Sequence, residues 1–240
     1  MLRSLYRRLK SCAAPMLSPI HAPILVGPLR GCCWSLGSRG KLARIFLGTY
    51  EPRVTRWFLE NVSAGDSMFD VGANVGYYTV LAGRIVGDSG QVVAIEPAST
   101  NVHNLHHNVR LNQLTNVKIF PGAAGEKNAT VRFHNGAGTG TGHISKEGGT
   151  EIPMRRLDDL ATAYDVVPTT LKIDVEGAEL NVLRGATRLL TDAKPNILVS
   201  THGQAAHERC LRLLCEYGYA VVDVDMVDPR AGGDVLLKAA

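Results

Sequence analysis

Short apolar runs alternate with helix-length segments along the chain from about Ser67 onward. The runs are rich in valine and isoleucine and are flanked by glycine, asparagine, aspartate or proline, which is typical of buried strands. Seven strands are predicted, at residues 67–71, 91–96, 116–120, 169–174, 196–200, 219–225 and 234–239. Helices are predicted between most of them, at residues 77–86, 99–113, 178–190 and 205–217. This alternation predicts an α/β fold with a parallel sheet and right-handed crossovers.

Two parts of the chain depart from this alternation. The last two strands are joined only by a turn-rich link at residues 226–233, which predicts a closing antiparallel hairpin at the sheet edge. Residues 122–168 form an insertion with weak strand signals at 130–134 and 151–154. The glycine-rich stretch 135–149 between these signals has the composition of a surface loop, and such loops often act as lids or contact substrates.

The first 50 residues carry a different charge from the rest of the chain. They hold eight lysines and arginines and no acid, although the net charge of the whole chain is only +4. Residues 2–10 place apolar side chains near helical spacing among basic ones. Three interpretations stay open: a helix that caps the domain, an organelle transit peptide, or a contact with a membrane surface or anionic partner. We predict a basic appendage at residues 1–48, helical in part, and a main domain at residues 49–240.

Composition limits the class of protein. At 240 residues, 45% hydrophobic and 20% charged, the chain is long enough to bury one substantial core. No apolar run approaches the roughly 18 to 20 residues that a membrane-spanning helix needs. The chain is therefore predicted to be soluble and cytoplasmic.

A glycine-containing turn follows the first predicted strand. Residues 69–76 read Phe-Asp-Val-Gly-Ala-Asn-Val-Gly, and Gly72 and Gly76 let the backbone turn sharply and bring a ligand to the sheet end. A dinucleotide fingerprint needs a further glycine, where Asn74 stands, so that the chain can touch a pyrophosphate. Asn74 therefore favours a smaller, positively charged ligand beside Asp70, such as S-adenosylmethionine.

Glu96 ends the second predicted strand, where a carboxylate can accept hydrogen bonds from both hydroxyls of a ribose. NAD and S-adenosylmethionine both carry a ribose, so the glycine spacing has to distinguish them. The structural alternatives are a turn or cap carboxylate at Asp70 and an exposed strand-end acid at Glu96. The predicted cofactor site contains five residues: Asp70, Gly72, Asn74, Gly76 and Glu96.

Polar residues also follow the fourth and fifth predicted strands. Asp174 ends the fourth strand, Glu176 lies in the next turn and His202 follows the fifth strand; we call these three the strand-end trio. Neighbouring parallel strands end at one crevice, and histidine, with an ordinary pKa of about 6.5, suits removal of a proton from a hydroxyl. The trio is predicted to be catalytic. Glu179 is interpreted as an acid favoured by a helix N-terminus, and Lys172 as a structural ion-pair partner.

A divalent cation is an alternative use of the same side chains. Hard cations prefer oxygen ligands, so Asp174, with Glu176 or His202, could hold magnesium. No spacing demands such a site, and no metal ligand is assigned from the sequence. The predicted cofactor is S-adenosylmethionine, with a divalent metal optional.

Together, these stretches resemble the FkbM family of S-adenosylmethionine-dependent methyltransferases. The resemblance runs from about Thr49 to Tyr219, and its most specific part is KIDVEGAE at residues 172–179 following DVGANVGYY at residues 70–78. It implies a class I methyltransferase fold, Rossmann-like and doubly wound, with a seven-stranded sheet whose last strand is antiparallel. It also implies methylation of a hydroxyl on a sugar or a secondary metabolite.

The resemblance extends to site residues. Asp70, Gly72 and Glu96 match cofactor positions of the family, and the strand-end trio matches its active-site edge. Many relatives carry a glutamate ahead of the histidine, whereas Ser200 and Thr201 precede it here. A role for that glutamate therefore does not carry over.

The predicted function is O-methylation of a glycan or small-molecule acceptor, and two other classes stay open. A nucleic-acid methyltransferase would carry an Asn-Pro-Pro-Tyr-like loop after the fourth strand or a nucleophilic cysteine at a strand end. The IDVEGAE stretch at residues 173–179 has neither, so no nucleic-acid partner is expected. A non-catalytic or dinucleotide-binding protein of the same fold is the other alternative.

Overall fold

The computed structural model describes residues 20–38, 41–134, 142–145, 148–228 and 232–239. The amphipathic helix predicted at residues 2–10 lies outside these ranges, as does most of the loop predicted at residues 135–149.

The elements alternate between strands and helices through most of the chain. In chain order they are β1 (His21–Pro23), β2 (Cys33–Ser35), α1 (Leu42–Phe46), α2 (Pro52–Asn61), β3 (Ser67–Val71), α3 (Tyr77–Val86), β4 (Gln91–Ile95), α4 (Ser99–Leu111), β5 (Val117–Phe120), β6 (Ala123–Ala124), β7 (Ala129–His134), β8 (His143–Ser145), β9 (Thr150–Arg155), α5 (Leu157–Tyr164), β10 (Thr170–Ile173), α6 (Glu179–Arg184), β11 (Asn196–His202), α7 (Gln204–Glu216), β12 (Tyr219–Asp228) and β13 (Gly232–Ala239).

The main sheet has seven strands in the order β12-β13-β11-β10-β3-β4-β5. Strands β3, β4, β5, β10 and β11 are parallel, and β13 is antiparallel to both of its neighbours. The predicted doubly wound sheet with an antiparallel last strand is confirmed. The predicted hairpin of the last two strands lies at one edge of the sheet, with β12 outermost and β13 between β11 and β12. Val235 and Leu237 of β13 are fully buried, whereas Val221 and Val222 of β12 are exposed.

The insertion at residues 122–168 forms a second sheet of four strands in the order β6-β9-β7-β8. Its two predicted strand signals correspond to β7 and β9, but the helix α5 that follows was not predicted. The predicted helix at residues 178–190 is interrupted: α6 ends before Gly185, and a π-helical turn spans Leu189–Ala193. Gly185 packs against the insertion, since a Cβ there would lie 2.0 Å from the carbonyl oxygen of Gly125.

Helices cover both faces of the main sheet. One face packs against α2, α3 and α4, with Phe58 and Leu105 fully buried, and the other against α5, α6 and α7, with Leu157 and Leu183 fully buried. Parallel strands are buried on both sides in this way, which explains their nearly continuous apolar sequence. No helix within the described ranges is long and apolar enough to cross a membrane.

The segment before residue 49 contributes to this core. Ile24 and Trp34 are fully buried in the same cluster as Phe58. Two side-chain amides, that of Asn108 in α4 and that of Asn112 at its C-cap, hold the β2 backbone. Asn108 Oδ1 accepts from Ser35 N at 3.0 Å, and Asn112 Oδ1 accepts from Cys33 N at 2.9 Å. Where the boundary between appendage and domain lies stays a prediction, but residues 20–38 pack as part of the folded body.

Candidate active site

The turn after β3 brings two strand ends into direct contact. Gly72 and Gly76 have φ values of 80° and 96°, and Asn74 between them also lies in the left-handed region at 54°. A Cβ on Gly72 would lie 1.8 Å from the carbonyl oxygen of Asp174. Gly72 is therefore required not only for the turn but also for its packing against the end of β10.

Asp70 is buried and holds neighbouring side chains in place. It is 1% exposed, and its carboxylate accepts a hydrogen bond from Thr79 Oγ1 at 2.6 Å. Lys172 Nζ lies 3.2 Å from Asp70 Oδ1 and 3.9 Å from Asp174 Oδ2. Burial alone would lower the pKa of Lys172, but the two carboxylates raise it. The structural ion pair predicted for Lys172 is confirmed. A role of Asp70 in the donor site stays a prediction, and its carboxylate is engaged by Thr79 and Lys172.

Glu96 ties the same turn to the end of β4. One carboxylate oxygen accepts from Asn74 N at 2.8 Å, and the other accepts from Ala98 N at 2.9 Å and from the Asn101 amide at 3.1 Å. Burial raises the pKa of Glu96, although these three donors act in the opposite direction. Glu96 therefore fixes Asn74, and its predicted contact with ribose hydroxyls stays a prediction.

The structure brings the strand-end trio together. His202 Nε2 lies 3.2 Å from Glu176 Oε2 and 4.0 Å from Asp174 Oδ1. One ligand atom from each of the three lies within 4.8 Å of the others. All three side chains are between 35% and 43% exposed, so the trio faces solvent at the rim of the crevice. Glu176 reaches this position through a left-handed backbone at φ 54°.

Glu179 orients the imidazole from the protein side. Its side chain is fully buried, and Oε1 lies 2.8 Å from His202 Nδ1 and accepts a second bond from Gly177 N at 2.8 Å. With a proton on Nδ1 this contact is a hydrogen bond from His202 to Glu179, and Nε2 lies on the side of Glu176 and Asp174. The sequence assigned Glu179 to the helix N-terminus only. The sequence signal that could have suggested this contact is the second glutamate, three residues after Glu176.

The three surrounding carboxylates stabilise the charged imidazole. The hydrogen bond to Glu179 is the largest cause, and with Glu176 and Asp174 it outweighs burial and raises the pKa of His202 to about 9. Burial raises the pKa of both Asp174 and Glu176, and His202 partly offsets this. Nε2 therefore becomes a strong base once its proton is removed.

Two uses of the trio fit this geometry. An imidazole with an oriented Nδ1–H can take a proton at Nε2, as a general base does. The same nitrogen and two carboxylate oxygens are also close enough to hold a divalent cation, with Glu179 behind the histidine. Nε2 can serve only one of these roles at a time.

A cavity of about 200 Å³ lies between the glycine turn and the segment before α2. The turn contributes Gly72 and Asn74, the end of β10 contributes Asp174, and Tyr50 and Glu51 form part of the remaining wall. The sequence predicted no individual site residue before Asp70. No periodic pattern in the sequence predicts that residues 41–51 contact the cavity, because this contact depends on how α1 and α2 pack.

Comparisons with known proteins agree with the fold and identify the family. A family model described as "Methyltransferase FkbM domain" matches residues 70–221. The hexuronic acid methyltransferase AglP of Haloferax volcanii is 29% identical over 169 residues, which are 69% of this chain and 68% of that protein.

Two solved structures share the fold at lower identity. Methyltransferase FkbM from Methylobacillus flagellatus is 20% identical with a TM-score of 0.54, and the match covers 80% of this chain but only 51% of that protein. Aeropyrum pernix fibrillarin, in complex with natively bound S-adenosylmethionine, is 18% identical with a TM-score of 0.51, covering 74% of this chain and 68% of that one. Because the family model spans more than half of the sequence, this chain belongs to the FkbM methyltransferase family and uses S-adenosylmethionine as its methyl donor.

Proposed function

We propose that this enzyme methylates a hydroxyl group of a sugar or glycan, with His202 as the base that accepts the hydroxyl proton. The observation that carries the proposal is the orientation of His202: Glu179 holds Nδ1, and Nε2 lies on the side of Glu176 and Asp174, whose backbone packs on the glycine turn. The similarity to a hexuronic acid methyltransferase supports a sugar as the acceptor class.

The reaction would proceed as a single displacement. The acceptor oxygen attacks the methyl carbon of the donor, the bond from carbon to sulfur breaks, and S-adenosylhomocysteine leaves. The hydroxyl proton goes to His202 Nε2. Because Gly72 touches the Asp174 backbone, the turn that we propose for the donor and the trio that we propose for the acceptor are adjacent. Alignment of two bound reactants can remove about 7–11 kcal/mol of barrier at best.

A hexuronic acid offers two kinds of oxygen, a hydroxyl and a carboxylate. Three carboxylates surround His202, those of Asp174, Glu176 and Glu179. A fourth carboxylate would be repelled by them, since like charges at this range are unfavourable. A neutral hydroxyl avoids this repulsion, and we therefore propose an ether product rather than an ester.

The test is methyl transfer from labelled S-adenosylmethionine to methyl glycosides of a hexuronic acid and of the matching neutral hexose. We expect label in the product that survives mild alkali, as a methyl ether does and a methyl ester does not. Label released quantitatively by alkali would contradict the hydroxyl assignment. Each reaction is run with magnesium and with a chelator, because a rate that disappears with the chelator would contradict the role of His202 as a base.

The Glu179→Gln variant is expected to change the pH profile of kcat/KM. A base acts in its neutral form, so activity of the unaltered enzyme should rise with pH through about 9, the pKa of His202. Glutamine removes the largest cause of the raised pKa, so the inflection should move to lower pH. The measurement is kcat/KM from about pH 6 to 10 in steps of about half a unit. This range covers the ordinary histidine pKa of about 6.5 and the raised value of about 9.

Glu208→Gln on the exposed face of α7 is the matched control, since Glu208 bonds Gln204 rather than the trio. Its profile should superimpose on that of the unaltered enzyme. An unchanged inflection in Glu179→Gln would show that the titrating group is not His202.

A further inference from the structure

The cavity beside the glycine turn is the site that we propose for the methyl donor, and the charged amino-acid end of the donor requires partners there. S-adenosylmethionine ends in an α-amino acid, which carries an ammonium and a carboxylate on one carbon. Asp70 does not line the cavity, and its carboxylate faces Thr79 and Lys172. The trio carboxylates Asp174 and Glu176 face His202. Glu51 is the remaining carboxylate among the cavity-lining residues of the described chain.

Glu51 is held in an unusual conformation at the cavity wall. Its φ and ψ of 39° and 66° are left-handed, although it is not glycine and precedes Pro52, a position that favours extended backbone. Backbone strain of this kind is concentrated at ligand-binding sites. Tyr78 Oη donates to Glu51 Oε2 at 2.8 Å, and Tyr78 itself stacks on Phe58 with ring centroids 4.7 Å apart. The carboxylate is therefore fixed from the protein side.

Lys41 supplies the opposite charge at the same place. Its Nζ lies 3.0 Å from Glu51 Oε1, and the two side chains are 52% and 31% exposed. Ion pairs that are exposed to this extent contribute little stability, so opening the pair is inexpensive. Both residues line the cavity beside Gly72. A cation and an anion next to each other match the two charges of an α-amino acid.

We infer that Lys41 and Glu51 form the subsite for the amino-acid end of S-adenosylmethionine. Glu51 accepts hydrogen bonds from the donor's ammonium, and Lys41 pairs with its carboxylate. In the absence of the donor the two residues pair with each other. Both positions lie outside residues 70–221, the part that the family model matches. The inference concerns donor binding only and is independent of the acceptor.

The test compares two ligands that differ only in the amino-acid end. S-adenosylhomocysteine carries it, whereas 5′-methylthioadenosine keeps the nucleoside and the sulfur without it. Calorimetry should give a dissociation constant for S-adenosylhomocysteine about 10- to 100-fold higher in Glu51→Gln, the range for a lost hydrogen bond to a charged group. Lys41→Gln should weaken the same ligand about two- to fivefold, as expected for an exposed charge. The affinity for 5′-methylthioadenosine should stay unchanged in both variants.

The controls separate binding from folding. Glutamine at position 51 keeps an acceptor for the Tyr78 hydroxyl, and unchanged 5′-methylthioadenosine affinity shows that the site is intact. Glu60→Gln, exposed on the last turn of α2 and absent from the cavity lining, should bind both ligands like the unaltered protein. Equal weakening of both ligands in Glu51→Gln, or no weakening of either, would overturn the inference.

Discussion

Replacing His202 by alanine is expected to lower kcat by about 10²- to 10⁴-fold, the usual contribution of a positioned general base. Binding of S-adenosylhomocysteine should stay unchanged, because His202 does not line the cavity that contains the glycine turn. The imidazole is partly exposed, so the variant is expected to fold, but it should lose stability because the buried Glu179 carboxylate loses its partner at Nδ1. The measurements are steady-state methyl transfer to a sugar acceptor and calorimetric titration with S-adenosylhomocysteine.

His106→Ala is the matched control for this variant. His106 lies exposed on α4 and takes no part in the trio. Its kcat and its affinity for S-adenosylhomocysteine should equal those of the unaltered enzyme. A His202→Ala enzyme that methylates a true acceptor at the normal rate would refute the base assignment, and a loss of donor binding would refute the division of the crevice into donor and acceptor parts.

Replacing Gly72 by alanine is expected to abolish binding of S-adenosylhomocysteine and to destabilise the protein. The added methyl would lie 1.8 Å from the carbonyl oxygen of Asp174, which belongs to the backbone and cannot rotate away. A left-handed backbone destabilises a residue that has a Cβ by about 1–2 kcal/mol, and overpacking typically destabilises the folded protein by a further ~1–3 kcal/mol. The free energy of unfolding, measured in urea, should fall by about 2–5 kcal/mol as the sum of these two effects.

Gly87→Ala separates the effect of backbone strain from the effect of overpacking. Gly87 has a φ of 64° and a ψ of −166°, where any residue with a Cβ is strained, but a Cβ there would meet no atom within 4 Å. This variant should lose only the conformational part of the stability and should bind S-adenosylhomocysteine normally. If Gly72→Ala binds the ligand as tightly as Gly87→Ala does, the contact between the glycine turn and β10 is not required for the donor site.

The parallel strands could be predicted because a strand that is buried on both faces has a nearly continuous apolar sequence. Periodicity located β3, β4, β5, β10 and β11, and the sequence order of strand ends located the turn at Gly72 and the trio near one edge. The helix after β10 was predicted too long. Apolar spacing continues through residue 190, but the helix ends at Gly185, which packs on Gly125 of the insertion, a contact that no local pattern reports.

The histidine partner was missed for a similar reason. Glu176 and Glu179 both suit the start of a helix, and their spacing alone does not show which of them lies behind His202. The turn through Glu176 and Gly177, both with positive φ, leaves Glu176 at the solvent-facing side of His202 and Glu179 buried behind it. Only the packed structure distinguishes the two carboxylates.

The sequence by itself determined the fold class, the family and the strand ends that carry polar residues, because each depends on local periodicity or on a continuous motif. The tertiary structure decided which of those residues face each other. It placed Gly72 against Asp174, Glu179 behind His202, and Lys41 and Glu51 in the cavity wall. These contacts join segments far apart in the chain, and their geometry follows from how the helices pack on the sheet, which no local pattern of residues encodes.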